Sequence, residues 1–403
     1  NCLLVGNTVR PFTDRMRISR EKLAYIVDST AAPIATVAII STWVGFQIGL
    51  FDDVFKDGSG YSLFLSILPY SFYSFFTIVF VFTIAYTGRD FGPMYRAEVR
   101  AITTGELFRP GAKPLMDPEL TEAFHETRGG APWWVAVVAI GSIVGIVMVG
   151  LYTTGSAGAG ADASLRDIIS AADPYGVLLW ASFGGSLLAL VLVVWGKWMG
   201  LEETTDAWVG GVKAMMMAVL VLILAWAIGD VCKSHLLTGK WLLSNLSPSP
   251  SLLPTLTFLA AAIIALSTGS SFSTMAIMVP IAAPMAWELT GDPELSTAAV
   301  DTIRYGTLAA ILSGAVFGDH CSPISDTTIM SSMSAASDHV DHVRTQLPYA
   351  VVVGLIATVV GFVPAGFGVS PMITLPIGIA IVVAVVRFVG KPAEAPQSSG
   401  VHR

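Results

Sequence analysis

Two carboxylates, a histidine and a run of hydroxyl groups lie close together in the stretch FGDHCSPISDTTIMSSMS, residues 317–334. Carboxylate and hydroxyl oxygens are the ligands that hard cations prefer in proteins. The stretch therefore predicts a binding site for a small inorganic cation or for protons. Its candidate ligands are Asp319, His320, Ser322, Ser325, Asp326, Thr327 and Thr328.

A proline divides this stretch. Pro323 has no backbone N–H and its ring clashes with the preceding turn, so a helix that begins near Thr302 should break between Gly318 and Pro323. The break exposes main-chain carbonyl groups, which add further oxygen ligands. Ser325 or Asp326 also suits the N-cap of the helix that resumes after the break. Asp319 and Asp326 are not both expected to serve only as helix caps, because an acidic side chain in a bilayer costs about 2.5–3.5 kcal/mol on insertion scales.

The composition of the chain is that of a membrane protein. Hydrophobic residues make up 54% of the 403 residues and charged residues 13%, whereas soluble domains carry about 25% charged residues. Plain apolar runs of the length that a membrane-crossing helix needs span residues 31–50, 61–87, 133–153, 175–195, 208–229, 348–369 and 371–390. Two further apolar regions, 252–289 and 302–337, carry polar residues in their middles. We therefore expect an all-α polytopic membrane protein.

Several classes of protein are disfavoured by the same composition. The net charge is −7 and the Lys and Arg residues are spread among the loops, so no nucleic-acid partner is expected. Three widely spaced cysteines, Cys2, Cys232 and Cys321, indicate free thiols rather than a disulfide framework. No G-x-S-x-G elbow or separate acid–base pair supports an enzyme, and no cofactor is expected.

The distribution of Lys and Arg residues predicts the orientation in the membrane. If 252–289 is a hairpin that returns to its own side and 302–337 crosses once, then 17 of the 22 Lys and Arg residues lie on one side. The positive-inside rule assigns that side to the cytoplasm. The loop 88–132 and the tail 391–403 are then cytoplasmic.

A second acid-to-proline pattern occurs near the beginning of the chain, in DSTAAPIATVAIISTWVGF at residues 28–46. In the predicted topology this segment runs outward, whereas 302–337 runs inward. Transporters commonly consist of inverted repeats whose discontinuous helices meet at the bilayer midplane. A pattern this short also arises by chance, but the opposed directions favour an inverted repeat with a second break at Pro33. The polar residues of this segment that we assign to the site are Asp28, Ser29, Thr30 and Thr42.

The interrupted region 252–289 predicts a re-entrant hairpin. Its apolar limbs are each slightly short for a full crossing, and Gly269 suits the turn at the tip. The tip is then placed to meet the break in 302–337. Two ordinary tilted helices with a packing face of small residues are the alternative. The polar residues of the tip are Thr268, Ser270, Ser271, Ser273 and Thr274.

Acids and histidines alternate in SDHVDHVR, residues 337–344. Asp338, His339, Asp341 and His342 fall within one and a half helical turns, so a transition-metal site or a pH sensor is conceivable. A solvated cytoplasmic loop is the plainer interpretation. Of the two functional interpretations, pH sensing by His339 and His342 is the favoured one.

Longer motifs extend over most of the chain. They are RISREKLAYIVDSTAAPIA at 17–35, GDHCSPISDTT at 318–328 and DHVRTQLPYA at 341–350, with the looser STGSSFST at 267–274. These motifs resemble the signatures of NhaC-type sodium/proton antiporters, a family within the ion transporter superfamily. Phe272 and Ile39 depart from the residues usual at their positions. The resemblance implies exchange of external protons for internal sodium across a prokaryotic cell membrane.

The resemblance also implies how the chain is organised. Residues 1–132 represent the remainder of a first inverted repeat with its cytoplasmic loop, 133–390 a second repeat, and 391–403 a tail. The second repeat reaches its broken helix only at residue 302, whereas the first begins its broken helix near residue 22. Together with the start NCLLVG, which has no initiating Met, this predicts that an N-terminal portion is missing.

Competition for one site is the expected mechanism. Burial away from water favours a protonated acid, so sodium must displace protons when it binds. The expected sodium ligands are Asp319, Ser325, Asp326 and Thr327. The alternative is a sodium- or proton-coupled exchanger of a small organic anion or amino acid, which needs a fixed cation such as Arg304 or His320 near the site. Lipid is the remaining partner, and the sequence leaves open whether two copies form a homodimer.

Overall fold

A computed structural model describes residues 2–38, 41–55, 60–114, 132–159, 163, 168, 171–231, 235–236, 249–291 and 296–393. This part of the chain is almost entirely helical, because apolar segments in a bilayer must satisfy their backbone polar groups internally. Two short strands occur in it, and β1 (Arg89–Asp90) pairs antiparallel with β2 (Lys391–Pro392).

The helices of the described residues range from one turn to eight turns in length. In chain order they are α1 (Cys2–Arg15), α2 (Arg20–Ser29), α3 (Ala32–Val37), α4 (Thr42–Phe55), α5 (Gly60–Ile67), α6 (Phe72–Thr87), α7 (Gly92–Thr104), α8 (Trp133–Ala159), α9 (Pro174–Trp195), α10 (Leu201–Asp230), α11 (Leu253–Thr268), α12 (Ser271–Leu289), α13 (Thr297–Cys321), α14 (Asp326–Ser334), α15 (His339–Ile356), α16 (Val363–Gly366) and α17 (Pro371–Val389). A π-helical segment, Ala357–Phe362, joins α15 to α16.

The chain divides into two compact units. One consists of Asn1–Leu115 and Met217–Arg403, and the other of Met116–Met216. In the smaller unit, α8 and α9 pack along each other, and Gly150 of α8 leaves room for Val177 of α9. Every residue that we assign to the ion site lies in the larger unit. The division into repeats at residues 132 and 133 stays a prediction.

Five helical segments of the described residues are long and apolar enough to cross a membrane. They are Trp134–Ala159, Pro250–Thr268, Ser271–Leu289, His339–Gly366 and Pro371–Val389. A sixth crossing results if α5 and α6 act as one span. The protein is therefore an all-α, multi-pass integral membrane protein.

The apolar run 61–87 is bent, although its composition predicts a plain span. α5 ends at Ile67, and the helix axis turns by 53° before α6 begins at Phe72. Pro69 lies in the turn between them and lacks the N–H that a continuous helix requires. The bent pair fits either a broken span or a re-entrant element.

α11 and α12 form the hairpin predicted for 252–289. Gly269 ends α11 in the left-handed conformation with φ of +62°, and Ser270 caps α12 by accepting a hydrogen bond of 3.3 Å from the Ser273 N–H. Both limbs are long enough to cross the membrane, so their length favours the alternative of two full spans, and the re-entrant character of this hairpin stays a prediction.

α13 packs closely against α11 because glycines remove side chains from the contact face. A Cβ atom on Gly314 would overlap the main-chain oxygen of Phe258, and one on Gly318 would overlap that of Ala262. α13 continues through Gly318 to Cys321, so the helix breaks after this glycine and not at it. The glycine serves helix packing.

Candidate ion-binding site

Two helices of the larger unit are interrupted beside a proline. α2 ends at Ser29 and α3 begins at Ala32, with Pro33 in its first turn; α13 ends at Cys321 and α14 begins at Asp326, with Pro323 between them. Each first helix carries an acid in its last turn, Asp28 in α2 and Asp319 in α13. The main-chain oxygen of each acid accepts a hydrogen bond of 3.0 Å from the backbone N–H three positions later. The two helix ends therefore share one local geometry.

The first turn of α14 connects the two acids. Thr327 donates its hydroxyl hydrogen to Oδ2 of Asp319 over 2.9 Å. The next residue, Thr328, donates its hydroxyl hydrogen to Oδ2 of Asp28, also over 2.9 Å. Adjacent hydroxyl groups thus hold one carboxylate from each broken helix, which brings the two acids to the same place.

The second oxygen of each carboxylate has no hydrogen-bond partner in the part of the chain that the structure describes. Asp28 and Asp319 are both 0% exposed, and the Oδ1 atom of each is buried without a partner, as are Ser29 Oγ, Ser331 Oγ and His320 Nε2. Buried polar groups are normally hydrogen-bonded, and a cluster of unsatisfied ones indicates bound ions or water. Carboxylate and hydroxyl oxygens of this kind are the ligands that a small hard cation prefers.

Ser325 and Asp326 have different surroundings at the start of α14. Ser325 is the N-cap, because its Oγ accepts from the Thr328 N–H at 3.4 Å, and it also lies 3.1 Å from Thr327 Oγ1. Asp326 accepts a hydrogen bond of 2.7 Å from the Thr327 N–H. The same Thr327 donates its hydroxyl hydrogen to Asp319, so one residue links the two carboxylates. Capping therefore accounts for Ser325 and leaves Asp326 beside the paired acids.

The tip of the hairpin lies against the break between α13 and α14. Ser322 donates its hydroxyl hydrogen to the Leu266 carbonyl oxygen over 2.9 Å. A Cβ atom on Gly269 would lie 2.5 Å from the carbonyl oxygen of Ile324, so only glycine allows this approach. The tip and the break are thus in direct contact.

Several residues that we assigned to the site make local hydrogen bonds instead. Thr30, Thr268 and Thr274 donate to main-chain oxygens four positions earlier, over 2.6, 2.8 and 2.9 Å. Ser271 is buried and Ser273 is half-buried. The side chain of Thr42 lies outside the described residues. The hydroxyl groups that bond the carboxylates come from α14.

His320 contacts an aromatic residue that sequence reasoning did not identify. Its Nδ1 lies 3.0 Å from the hydroxyl oxygen of Tyr73, on α6. Both side chains are buried. This hydrogen bond orients the imidazole and leaves Nε2 as its unpartnered atom.

The histidines of SDHVDHVR belong to the beginning of α15, which contradicts the solvated-loop interpretation. Asp338 is the N-cap of that helix, and His342 is fully buried. Ser332 Oγ lies 2.9 Å from His339 Nδ1 and 2.7 Å from His342 Nδ1. No group of three or more metal-binding side chains occurs among the described residues, so the transition-metal interpretation has no support there. A pH-sensing role stays a prediction.

Gln346 links this histidine pair to the acid of α2. Its Nε2 donates to Asp28 Oδ2 over 2.6 Å, and its Oε1 lies 3.0 Å from His342 Nε2. The motif DHVRTQLPYA contains this residue, but an uncharged amide gave no separate signal in the sequence.

A second group of buried charges fixes the beginning of α2. Lys22 Nζ lies 2.7 Å from Asp90 Oδ2 and 3.3 Å from Glu98 Oε2. Tyr349 donates its hydroxyl hydrogen to Asp90 Oδ1 over 2.8 Å. Lys22, Asp90 and Glu98 are all buried within the protein, and the cytoplasmic position predicted for this region stays a prediction.

Arg304 is far from the paired acids. It precedes Asp319 by 15 positions on α13, which corresponds to about 22 Å along the helix axis. Its guanidinium donates to Thr290 Oγ1 over 2.8 Å and lies over the ring of Trp287. The fixed cation that an organic anion would require is therefore not supplied by Arg304.

Comparison with known proteins identifies relatives over most of the chain. A protein of uncharacterised function from Haemophilus influenzae is 34% identical over 375 residues, which are 91% of this chain and 67% of that protein. The malate-2H(+)/Na(+)-lactate antiporter of Bacillus subtilis is 30% identical over 179 residues, 41% of this chain and 34% of that one. The Na(+)/H(+) antiporter NhaC of Alkalihalophilus pseudofirmus is 28% identical over 185 residues, 44% and 36% of the two chains. No solved structure matches.

The matched region includes the whole candidate site. The chain spans about two thirds of the Haemophilus protein and about one third of the two named antiporters. The sequence model of the Na+/H+ antiporter family matches residues 24–367 of this chain. The match begins within α2 and ends one residue after α16. Membership in such a family points to a transporter rather than an enzyme. This protein belongs to the Na+/H+ antiporter family.

Proposed function

We propose that this protein is a secondary antiporter that exchanges sodium ions for protons. One observation supports this most strongly. Asp28 and Asp319, from two separately broken helices, are held together by adjacent threonines and each keeps one buried carboxylate oxygen without a partner. A carboxyl group buried in this way must either hold a proton or, when ionised, bind a cation, because an uncompensated buried charge is strongly disfavoured.

Sodium and protons compete for this site in the proposed mechanism. Sodium is bound by Asp319, Asp326, Ser325 and Thr327, with Asp28 on the opposite broken helix. When sodium leaves, the acids take up protons, since burial favours the neutral form of a carboxyl group. The proton-to-sodium ratio depends on how many carboxylates carry a proton after sodium has left. Movement of the two broken helices and the hairpin exposes the site to each side in turn.

The shared geometry of the two helix ends supports an inverted repeat, and the Lys and Arg distribution supports a cytoplasmic C-terminus. We place the protein in a prokaryotic cell membrane on the basis of its relatives, all three of which are prokaryotic. The first repeat then ends within 1–132 and the second comprises 133–390.

An exchanger of a small organic anion is the second candidate. It is favoured by the similarity to the malate-2H(+)/Na(+)-lactate antiporter. Among the described residues of α2, α13 and α14, the unpartnered donor groups include His320 Nε2 and the hydroxyls of Ser29 and Ser331, and none of these is a fixed cation; Arg304 is engaged elsewhere. The site is otherwise rich in carboxylate and hydroxyl oxygens, which favours an inorganic cation as the substrate.

Proton movement in inverted membrane vesicles tests both candidates. A pH-sensitive dye should report proton release from the vesicle lumen when Na+ is added, and a much smaller response to malate, lactate or basic amino acids. Asp28→Asn and Asp319→Asn should abolish the sodium response while the protein still reaches the membrane. Asp206→Asn, at an exposed position on α10, is the matched control and should leave it unchanged. Near-normal exchange in both site variants would contradict the shared-site mechanism.

A further inference from the structure

Gln346 is the residue that connects the most parts of the candidate site. It is 0% exposed and lies on α15, between the ends of the two broken helices. Its Nε2 donates to Asp28 Oδ2 over 2.6 Å and to the main-chain oxygen of His320 over 3.0 Å. One amide group therefore holds the end of α2 and the end of α13 at once.

The partners determine which way the amide faces. An ionised carboxylate and a main-chain carbonyl only accept hydrogen bonds, so the NH2 group of Gln346 must face Asp28 and His320. Oε1 then faces His342, which must donate through its Nε2–H over the observed 3.0 Å. Every polar atom of the Gln346 side chain is thus used in a single orientation.

The hydrogen bonds on Asp28 are distributed unevenly between its two oxygens. Oδ2 accepts from both Gln346 and Thr328, whereas Oδ1 has no partner among the described residues. Rotation of the carboxylate would break two hydrogen bonds to a charged group, which are stronger than those between neutral groups. Asp319 is held in a similar way, because its Oδ2 accepts from the Thr327 hydroxyl and its Oδ1 has no partner among the described residues. The carboxylate of Asp28 is thus fixed through Oδ2 by two donors.

We propose that Gln346 is a positioning residue of the ion site, which holds Asp28 so that Oδ1 faces the bound cation. This inference depends on the proposed exchange of sodium for protons. Gln346 acts through Asp28 and needs no contact with the ion itself. Replacement of Gln346 should weaken sodium binding more than it slows the conformational change that transports the ion.

The test is the apparent KM for sodium and the maximal rate of exchange, measured in vesicles for the wild type and for Gln346→Met. Methionine has a similar size and no N–H donor. Because the lost hydrogen bond is to a charged group, we expect KM to rise about tenfold or more, with a smaller change in maximal rate. Gln346→Asn keeps the amide group but shortens the side chain by one methylene. The smaller side chain is easy to accommodate, but its amide lies farther from Asp28, so KM should rise as well.

Gln47→Met is the matched control. Gln47 is also a fully buried glutamine, on α4, but its amide atoms have no hydrogen-bond partner among the described residues. Its replacement should leave the sodium KM within about twofold of the wild-type value. Thr328→Val removes the other anchor of Asp28 Oδ2 and should raise KM in the same direction as Gln346→Met.

The outcomes separate this inference from the proposed function. If the wild type shows no sodium-driven proton movement, the proposed function itself is wrong. If the wild type exchanges normally and both Gln346 variants keep the wild-type KM, Gln346 does not position Asp28. A fall in maximal rate alone, with an unchanged KM, would assign Gln346 a purely structural role and would also overturn the inference. A raised KM in the Gln346 variants, with Gln47→Met unchanged, would support it.

Discussion

Replacement of Lys22 by methionine should destabilise the protein strongly. Lys22 is the cation between Asp90 and Glu98, at 2.7 and 3.3 Å, and the three side chains are 7%, 0% and 6% exposed. Methionine fills a similar volume but carries no charge. The change therefore leaves the carboxylates of Asp90 and Glu98 buried without their counter-charge. Lys22 lies on α2, the helix that also carries Asp28, six positions after Lys22.

The magnitude follows from the burial of this group. Removing one partner of a buried ion pair typically costs about 3–5 kcal/mol, because the remaining charge is uncompensated. The hydrogen bonds that Asp90 accepts from Tyr349 and that Glu98 accepts from the Ser19 N–H remain in the variant. They offset part of the cost, so we expect the lower end of this range, about 3 kcal/mol.

The free energy of unfolding, measured by titration with a denaturing detergent in mixed micelles, tests this expectation. Arg109→Met is the matched control, since Arg109 pairs with Asp341 at 3.0 Å but is 53% exposed. Its partner Asp341 is 10% exposed, so this pair is only half open to solvent, and Arg109→Met should cost more than the roughly 0–1 kcal/mol of a fully exposed pair but clearly less than Lys22→Met. Adding Asp90→Asn to Lys22→Met should restore part of the lost stability. If Lys22→Met is no less stable than Arg109→Met, the buried cluster does not stabilise α2.

Two other predictions concern the hairpin tip and the histidine pair. Gly269→Ala should lose more stability and exchange activity than Gly88→Ala, because φ is +62° and +61° at the two positions but only Gly269 faces a main-chain oxygen where a Cβ would stand. Equal losses in unfolding and vesicle assays would mean that backbone strain alone matters. Replacing His339 and His342 together by Gln should shift the pH profile of exchange without abolishing it, because both rings share the Ser332 hydroxyl beside the site. An unchanged profile would exclude pH sensing by this pair.

Features that depend on neighbouring residues could be predicted from the sequence. The helix interruptions beside Pro33 and Pro323 follow from the missing N–H of proline, which acts within one turn. The hairpin turn at Gly269 follows from the left-handed conformation that glycine adopts readily. The bend between α5 and α6 had a similar local signal in Pro69, but its apolar flanks resemble those of a continuous span.

Features that depend on how helices cross were decided only by the tertiary structure. The hydrogen bond from Thr328 to Asp28 joins residues 300 positions apart, and that from Gln346 to Asp28 joins residues 318 positions apart. The sequence placed Thr268, Thr274 and Thr327 in the same site, yet only Thr327 hydrogen-bonds a carboxylate there. A hydroxyl group on a membrane helix has the same local signature whether it bonds its own backbone or a distant acid. Which of these it does depends on the face that the helix turns toward its neighbours, and that face is fixed by the packing of the whole unit.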